Sequence, residues 1–219
     1  MKYIQLGSKK ITAQRFLIYV CSLVILAFGI TLNTKTQLGI SPIISVAYNI
    51  SYIGDFPLGI ITFIYYTLMV ILQIVLLGKD FEPFQILQIP MCFITSSFIQ
   101  LFDIIVPVME TPVTKIIALI GAIVITGIGA SLTVGMKIVP NPADGLASVF
   151  GLKFKKDFGF GKNFFDFVSI IISLAIGFIF TGGILGIGIG TVCSMIFTGR
   201  VIALLQKKTD ALYQKVTPF

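Results

Sequence analysis

The sequence predicts an all-α membrane protein: six transmembrane helices forming two inverted three-span repeats, each with a broken or re-entrant short helix. Three observations lead there. Of the 219 residues, 56% are hydrophobic and only 11% charged, with a mean hydropathy of +1.02. A soluble domain carries about 25% charged residues, so this chain cannot coat itself for water. The apolar residues are also gathered into blocks near the roughly 20 residues that a helix needs to cross a bilayer. Finally, features of the first half recur 100 residues later in the second.

Taken in order, the predicted spans are 16–34, 58–78, 84–104, 113–136, 164–181 and 184–205. Two further apolar stretches are too short to cross. One is 38–53, interrupted by Ser41-Pro42, and the other is 140–154, interrupted around Pro142. Apolar stretches of this length are candidates for re-entrant or interfacial elements. The whole of 1–219 reads as a single membrane domain, with repeat 1 at about 12–105 and repeat 2 at about 112–206.

Charge placement gives the orientation. With the N-terminus inside, the inner segments hold Lys2, Lys9, Lys10, Arg15, Lys79, Lys137, Lys153, Lys155, Lys156, Lys162, Arg200, Lys207, Lys208 and Lys215. Only Lys35 and Lys115 of the sixteen basic residues are left outside. Lys and Arg bias over short loops is what orients such proteins, and it predicts a multi-pass membrane protein with both termini cytoplasmic. The first apolar run has no small-residue cleavage site after it and reads as a retained span, not a signal peptide.

The repeat is carried by Gly29, Leu32 and Pro42, which recur as Gly129, Leu132 and Pro142. Ser41-Pro42 thus corresponds to Asn141-Pro142, Ser45 to Gly145 and Ala47 to Ala147. After a two-residue shift, 55–59 (Asp-Phe-Pro-Leu-Gly) aligns with 157–161 (Asp-Phe-Gly-Phe-Gly). Three spans is an odd number, so the second copy must insert upside down. Inverted repeats with broken helices at matching positions are a recurring plan of secondary transporters.

The breaks hold the candidate site residues. In the second, Pro140, Asn141, Pro142, Asp144 and Gly145 place two helix-breaking prolines beside an amide, a carboxylate and a flexible glycine. Irregular backbone at membrane depth is tolerated only where it lines a cavity or packs on protein. Asn141 and Asp144 are read as substrate-binding, a role compatible with capping the short helix. In the first break, Gly39 and Pro42 interrupt the chain, and Ser41 fits an N-cap ahead of proline. Ser41, Ser45 and Asn49 share one helical face. That stripe suits either a lined pathway with substrate-binding residues or interhelical hydrogen bonding. Half-helix N-termini entering the bilayer would favour an anionic or zwitterionic ligand.

Other features are plainer. Asp103, Glu110 and Lys115 sit at span ends, Asp166 has Lys162 one turn earlier as partner, and Arg200 is placed to snorkel. The glycines of 182–190 lack the Lys-Ser/Thr of a phosphate loop and read as close packing or a hinge. Cys21, Cys92 and Cys193 lie singly in three spans, and there is no histidine. No catalytic residue, metal site or cofactor is therefore expected. The net charge of +7 reads as topology and contact with anionic lipid rather than nucleic acid.

Leu38-Gly39-x-Ser41-Pro42 with Ser45 following, and Asn141-Pro142-x-Asp144-Gly145 in the second half, resemble the YczE/YyaS/YitT-type bacterial membrane proteins. The resemblance spans about 15–205 and implies plasma-membrane residence and a transport role. The resulting expectation is a secondary transporter of a small polar solute, bound between the two breaks, with Asp144 meeting substrate or a coupling cation. A substrate-capture subunit of an ATP-driven importer and a passive channel stay open as alternatives, as does homo-oligomerisation. The lipid bilayer is the one certain partner.

Overall fold

The computed structural model describes residues 11–217, so Lys2, Lys9 and Lys10 lie outside the described residues. Eight α-helices follow one another: α1 (Ala13–Lys35), α2 (Pro42–Gly54), α3 (Leu58–Leu77), α4 (Gln88–Ile105), α5 (Pro112–Gly135), α6 (Pro142–Lys153), α7 (Phe158–Thr181) and α8 (Ile189–Val216). All but α2 and α6 belong to the six segments long and apolar enough to cross a membrane. Their outer faces carry bare aliphatic side chains, among them Val75, Ile104, Ile179 and Leu204. That surface suits hydrocarbon and would be untenable in water.

Local chemistry sets most helix starts. The Thr12, Thr111 and Asp157 side chains each accept a backbone N–H three residues on, and Pro112 and Pro142 sit at first helical positions. Asp157 moves the start of the fifth span to Phe158, six residues ahead of the predicted 164. The sixth starts later than the predicted 184, at Ile189, because Gly182 and Gly186 take positive φ (72° and 70°) and hold 182–188 out of a helix. It then continues past 205 to Val216.

The core of the bundle is the crossing of α1 and α5. A Cβ on Gly29 would lie 2.5 Å from the Thr126 amide nitrogen, and one on Gly129 would lie 2.5 Å from that of Leu26. These two contacts exchange partners at an offset of 100 residues. The rest of the packing follows the same exchange: α4 lies on α1 and α8 on α5, while α2 packs on α3 and α7, and α6 on α7 and α3. The non-glycine residues with positive φ also pair at 100 residues, Gln37 (57°) with Lys137 (49°) and Asp55 (53°) with Lys155 (54°).

This backbone register corrects the alignment around Asp55. The offset stays at 100 from Pro42/Pro142 to the helix starts at Leu58/Phe158, with no two-residue shift. Asp55 ends α2 in a left-handed conformation, whereas Asp157 caps the start of α7. The Asp-Phe-x-x-Gly likeness therefore joins residues with different structural jobs.

Neither short helix lies flat on the surface. In α6 the residues from Pro142 to Ala147 are buried without interruption, and α2 buries Pro42, Ile44, Ser45, Val46, Ala47 and Asn49. Ile44 packs with Leu26, Ala27 and Ile30 of α1. Ala143 packs with Tyr66 and Cys92, and Ile43 of α2 reaches the same cluster. Tyr66 is eleven residues from the end of α3, or about 16 Å at 1.5 Å per residue, so the first turns of both helices reach well into the bundle.

Candidate functional site

The segment between α5 and α6 is held open by α1. Arg15, buried at the start of α1, donates from Nε to the Met136 carbonyl and from Nη2 to that of Lys137, both at 2.7 Å. One turn further along, the Tyr19 hydroxyl donates to the Val139 carbonyl at 3.0 Å. These bonds satisfy carbonyls that no helix can use. They also hold the 136–139 turn, in which Lys137 takes a left-handed conformation, against the bundle, and Asn141 and Pro142 start α6 just beyond it. The Asn141 Oδ1 accepts from the Ala143 amide at 3.0 Å.

Gln73 of α3 fixes the inner end of this helix. Its Nε2 donates to the Pro142 carbonyl at 3.1 Å, and its amide pairs with that of Gln88 through two 3.2 Å bonds. Gly145 is the residue that permits this approach. A Cβ there would meet the Gln73 amide oxygen at 2.7 Å.

Beside α6 a cavity of about 640 Å³ opens between α5, the 137–140 segment and the last turns of α8. Asp144 and Ser148 face it from α6, Ser131 and Thr133 from α5, and Gln206, Thr209, Asp210 and Tyr213 from α8. Lys137 stands on its wall, 3.8 Å from Asp210. The Tyr213 ring meets two cations, with the Arg15 guanidinium 5.1 Å and the Lys137 ammonium 4.7 Å from its centroid. Those contacts tether α8 to the segment that precedes α6.

Asp144 is 7% exposed, and its carboxylate has no ion-pair or hydrogen-bond partner among the described residues. Lys162 is close enough to act on it electrostatically but is held by Asp166 at 2.6 Å, as the four-residue spacing predicts. Burying a carboxylate without a partner is costly. Its first-turn position in α6 offsets only part of that cost through the helix dipole.

The predicted site residues divide sharply. Asp144 and Pro140 line the cavity, Asn141 caps α6, and Gly145 and Pro142 make contact with Gln73. Those of the first break lie elsewhere. Ser41 occupies the N-cap position but its hydroxyl does not cap; its amide donates to the Asn33 Oδ1 at 2.6 Å. The Ser45 hydroxyl donates to the Pro42 carbonyl at 3.2 Å. Asn49 donates to the Ser173 carbonyl and hydroxyl, both at 2.9 Å, and to the Leu185 carbonyl at 3.1 Å. Gly39 approaches the backbone of Gly188, where a Cβ would stand 2.6 Å from its nitrogen, and the neighbouring Ile40 amide donates to the Gly186 carbonyl. Gly186, Gly188 and Gly190 serve this close approach.

Sequence reading missed the α8 wall, having ended the sixth span at 205. The signal was present, since Gln206, Thr209, Asp210 and Tyr213 fall at i, i+3, i+4 and i+7, a single helical face.

Fold and surface together define the class, a multi-pass helical membrane protein with a polar cavity beside a broken helix. Within that class, residues 13–207 match the family of unknown function DUF6198, and the chain belongs to that family. No curated protein and no solved structure matches it.

Proposed function

We propose that this protein is a secondary transporter of a small polar solute, built from two inverted repeats and captured with one end open. The observation that carries the reading is the cavity beside α6: two matched short helices enter the bundle, and a space of about 640 Å³ lined by charged and polar side chains stands beside the second. The exchange of contacts between Gly29–Thr126 and Gly129–Leu26 supports the inverted repeat, because a two-fold relation produces reciprocal pairs of this kind. The paired positive-φ residues support it too. In this reading the kinship with YczE/YyaS/YitT-type proteins holds, and the protein resides in the bacterial plasma membrane with its termini in the cytoplasm. The basic residues follow α6 and α8 toward the open end, which is then the cytoplasmic one.

Asp144 takes the central role, Gln206, Thr209 and Ser148 supply neutral polar contacts, and closing the cavity while opening the opposite end moves the solute. Transport tests this directly. Purified protein in proteoliposomes is expected to give saturable uptake that is stimulated by unlabelled solute on the far side. Flux without saturation would mean a channel. The transporter reading ends if solutes of every charge class fail to move, with and without proton or sodium gradients.

A further inference from the structure

Resting on that reading, the charges around the cavity narrow the class of solute. The walls carry Lys137, Asp210 and Asp144. Lys137 and Asp210 face each other at 3.8 Å, which leaves Asp144 as the uncompensated group. Behind it, Lys162 and Asp166 form a closed pair at 2.6 Å. With Asp144 ionised, the cavity interior lacks one positive charge.

A divalent metal ion fits this deficit poorly. Calcium takes six to eight oxygen ligands and magnesium demands an octahedron, whereas no group of three acidic, cysteine or histidine side chains converges among the described residues. A protonated amine asks for less: one carboxylate, a few neutral acceptors, and an apolar surface for its carbon skeleton. Ser148, Thr209 and Gln206 supply the acceptors, and Ile138, Ile202 and Phe158 the apolar surface.

We infer that the cavity binds a small amine-bearing solute, cationic or zwitterionic, through an ion pair between its ammonium group and the buried, unpartnered Asp144 carboxylate. A zwitterion would turn its own carboxylate toward Lys137, whose 3.8 Å contact with the half-exposed Asp210 is readily exchanged. A simple anion could pair with Lys137 alone and would leave the Asp144 carboxylate unpaired.

Four probes that share one carbon skeleton separate the cases: phenethylammonium, phenylalanine, 3-phenylpropionate and 2-phenylethanol. The detergent-purified full chain is titrated with each while its thermal midpoint is followed. The two amines are expected to raise the midpoint saturably, and the anion and the alcohol to leave it unchanged. Asp144→Asn should weaken amine binding by about tenfold or more, the usual consequence of removing one member of a buried charge pair, and Asp144→Glu should restore most of it. If Asp144→Asn does not fold, carbodiimide treatment of the unaltered chain in phenethylammonium gives the same answer, since the activated Asp144 carboxylate should be captured by the bound amine as an amide, with release of the urea, and the adduct read by mass spectrometry. Binding of 3-phenylpropionate as strong as that of the amines would overturn the inference. Amine binding untouched by Asp144→Asn would also overturn it, and so would carbodiimide treatment that gives no phenethylamide on Asp144. Transport fails separately: amine binding without flux would sink the transporter and keep the site, while flux of a solute indifferent to Asp144 would do the reverse.

Discussion

The two ends of the bundle use equivalent helices and finish differently. At the end where α1 and α4 terminate, Phe102 packs edge-on to Phe28 at 5.2 Å and against Phe98 at 6.0 Å. The Lys35 ammonium meets Asp103 at 2.7 Å, and the Lys35 carbonyl accepts the Met109 amide at 2.9 Å. α3 and α4 lie side by side along their length. Their counterparts α7 and α8 make no comparable contact. The Lys137–Asp210 pair there is stretched to 3.8 Å, and the space holds the cavity. Shared topology thus does not dictate shared closure. The first half is closed by aromatic packing, and the second keeps a gap that its lining side chains leave unfilled.

The largest effect is expected where the open end depends on one side chain. Arg15→Ala removes two 2.7 Å charge-assisted bonds to the 136–137 carbonyls and should cost about 3 kcal/mol, given roughly 1.5–3 kcal/mol per bond to a charged group. Chemical unfolding in detergent micelles measures it. The corresponding clamp of the closed end, Asn33, is neutral, accepting from the Ser41 amide and donating to the Ser194 hydroxyl, so Asn33→Ala should cost about 2 kcal/mol. Equal losses would erase the contrast between the ends. Next comes the central crossing. Gly29→Leu and Gly129→Leu each force a side chain against the backbone of the opposite helix, and each should cost about 2 kcal/mol by overpacking. Similar losses at both sites sharpen the reciprocal geometry, while a large loss at one and none at the other would count against it.

The parts legible in the sequence were those fixed by local or compositional physics. Span number followed from apolar length, and the two breaks followed from Pro42 and Pro142, which no regular helix interior accepts. The Lys162–Asp166 pair was readable because i,i+4 spacing alone brings its members together. The destination of the Ser41, Ser45 and Asn49 stripe was not readable. Which partner a buried amide finds depends on a helix 124 residues away, and the Ser173 backbone that receives Asn49 carries no mark in the sequence. Arg15 looked like one more basic residue of the N-terminal tail. Only the fold shows that it holds the Met136 and Lys137 carbonyls. The cavity was half readable: Asp144 stood out, but α8 was cut short because Lys207 and Lys208 lower its hydropathy where the helix continues.

Access distinguishes the ends more directly than stability. In a chain with Cys21, Cys92 and Cys193 replaced by alanine, a cysteine at Thr209 faces the cavity and one at Ser45 lies in packed core. Labelling by a water-soluble maleimide should be about tenfold faster at 209 than at 45, because reaction follows access to the thiolate. Comparable rates would mean that the first break also opens to water, and that the closed end is only one of two populated states.

The smallest effects belong to the two surface ion pairs, and their smallness carries information. Lys35–Asp103 has better geometry than Lys137–Asp210, with side chains 15% and 29% exposed against 26% and 47%. Partly exposed pairs contribute about 0–1 kcal/mol, so Lys35→Ala should cost about 0.5 kcal/mol and Lys137→Ala less. High salt should reproduce the loss in the unaltered chain by screening. If this holds, the closed end is kept shut by Phe28, Phe98 and Phe102, and the ion pair only decorates it. A loss above about 2 kcal/mol for Lys35→Ala would exceed what an exposed pair supplies. Lys35 and Asp103 would then be an electrostatic latch, and the difference between the two ends would lie in 1.1 Å of ion-pair distance, 3.8 Å less 2.7 Å, rather than in the packing of three rings.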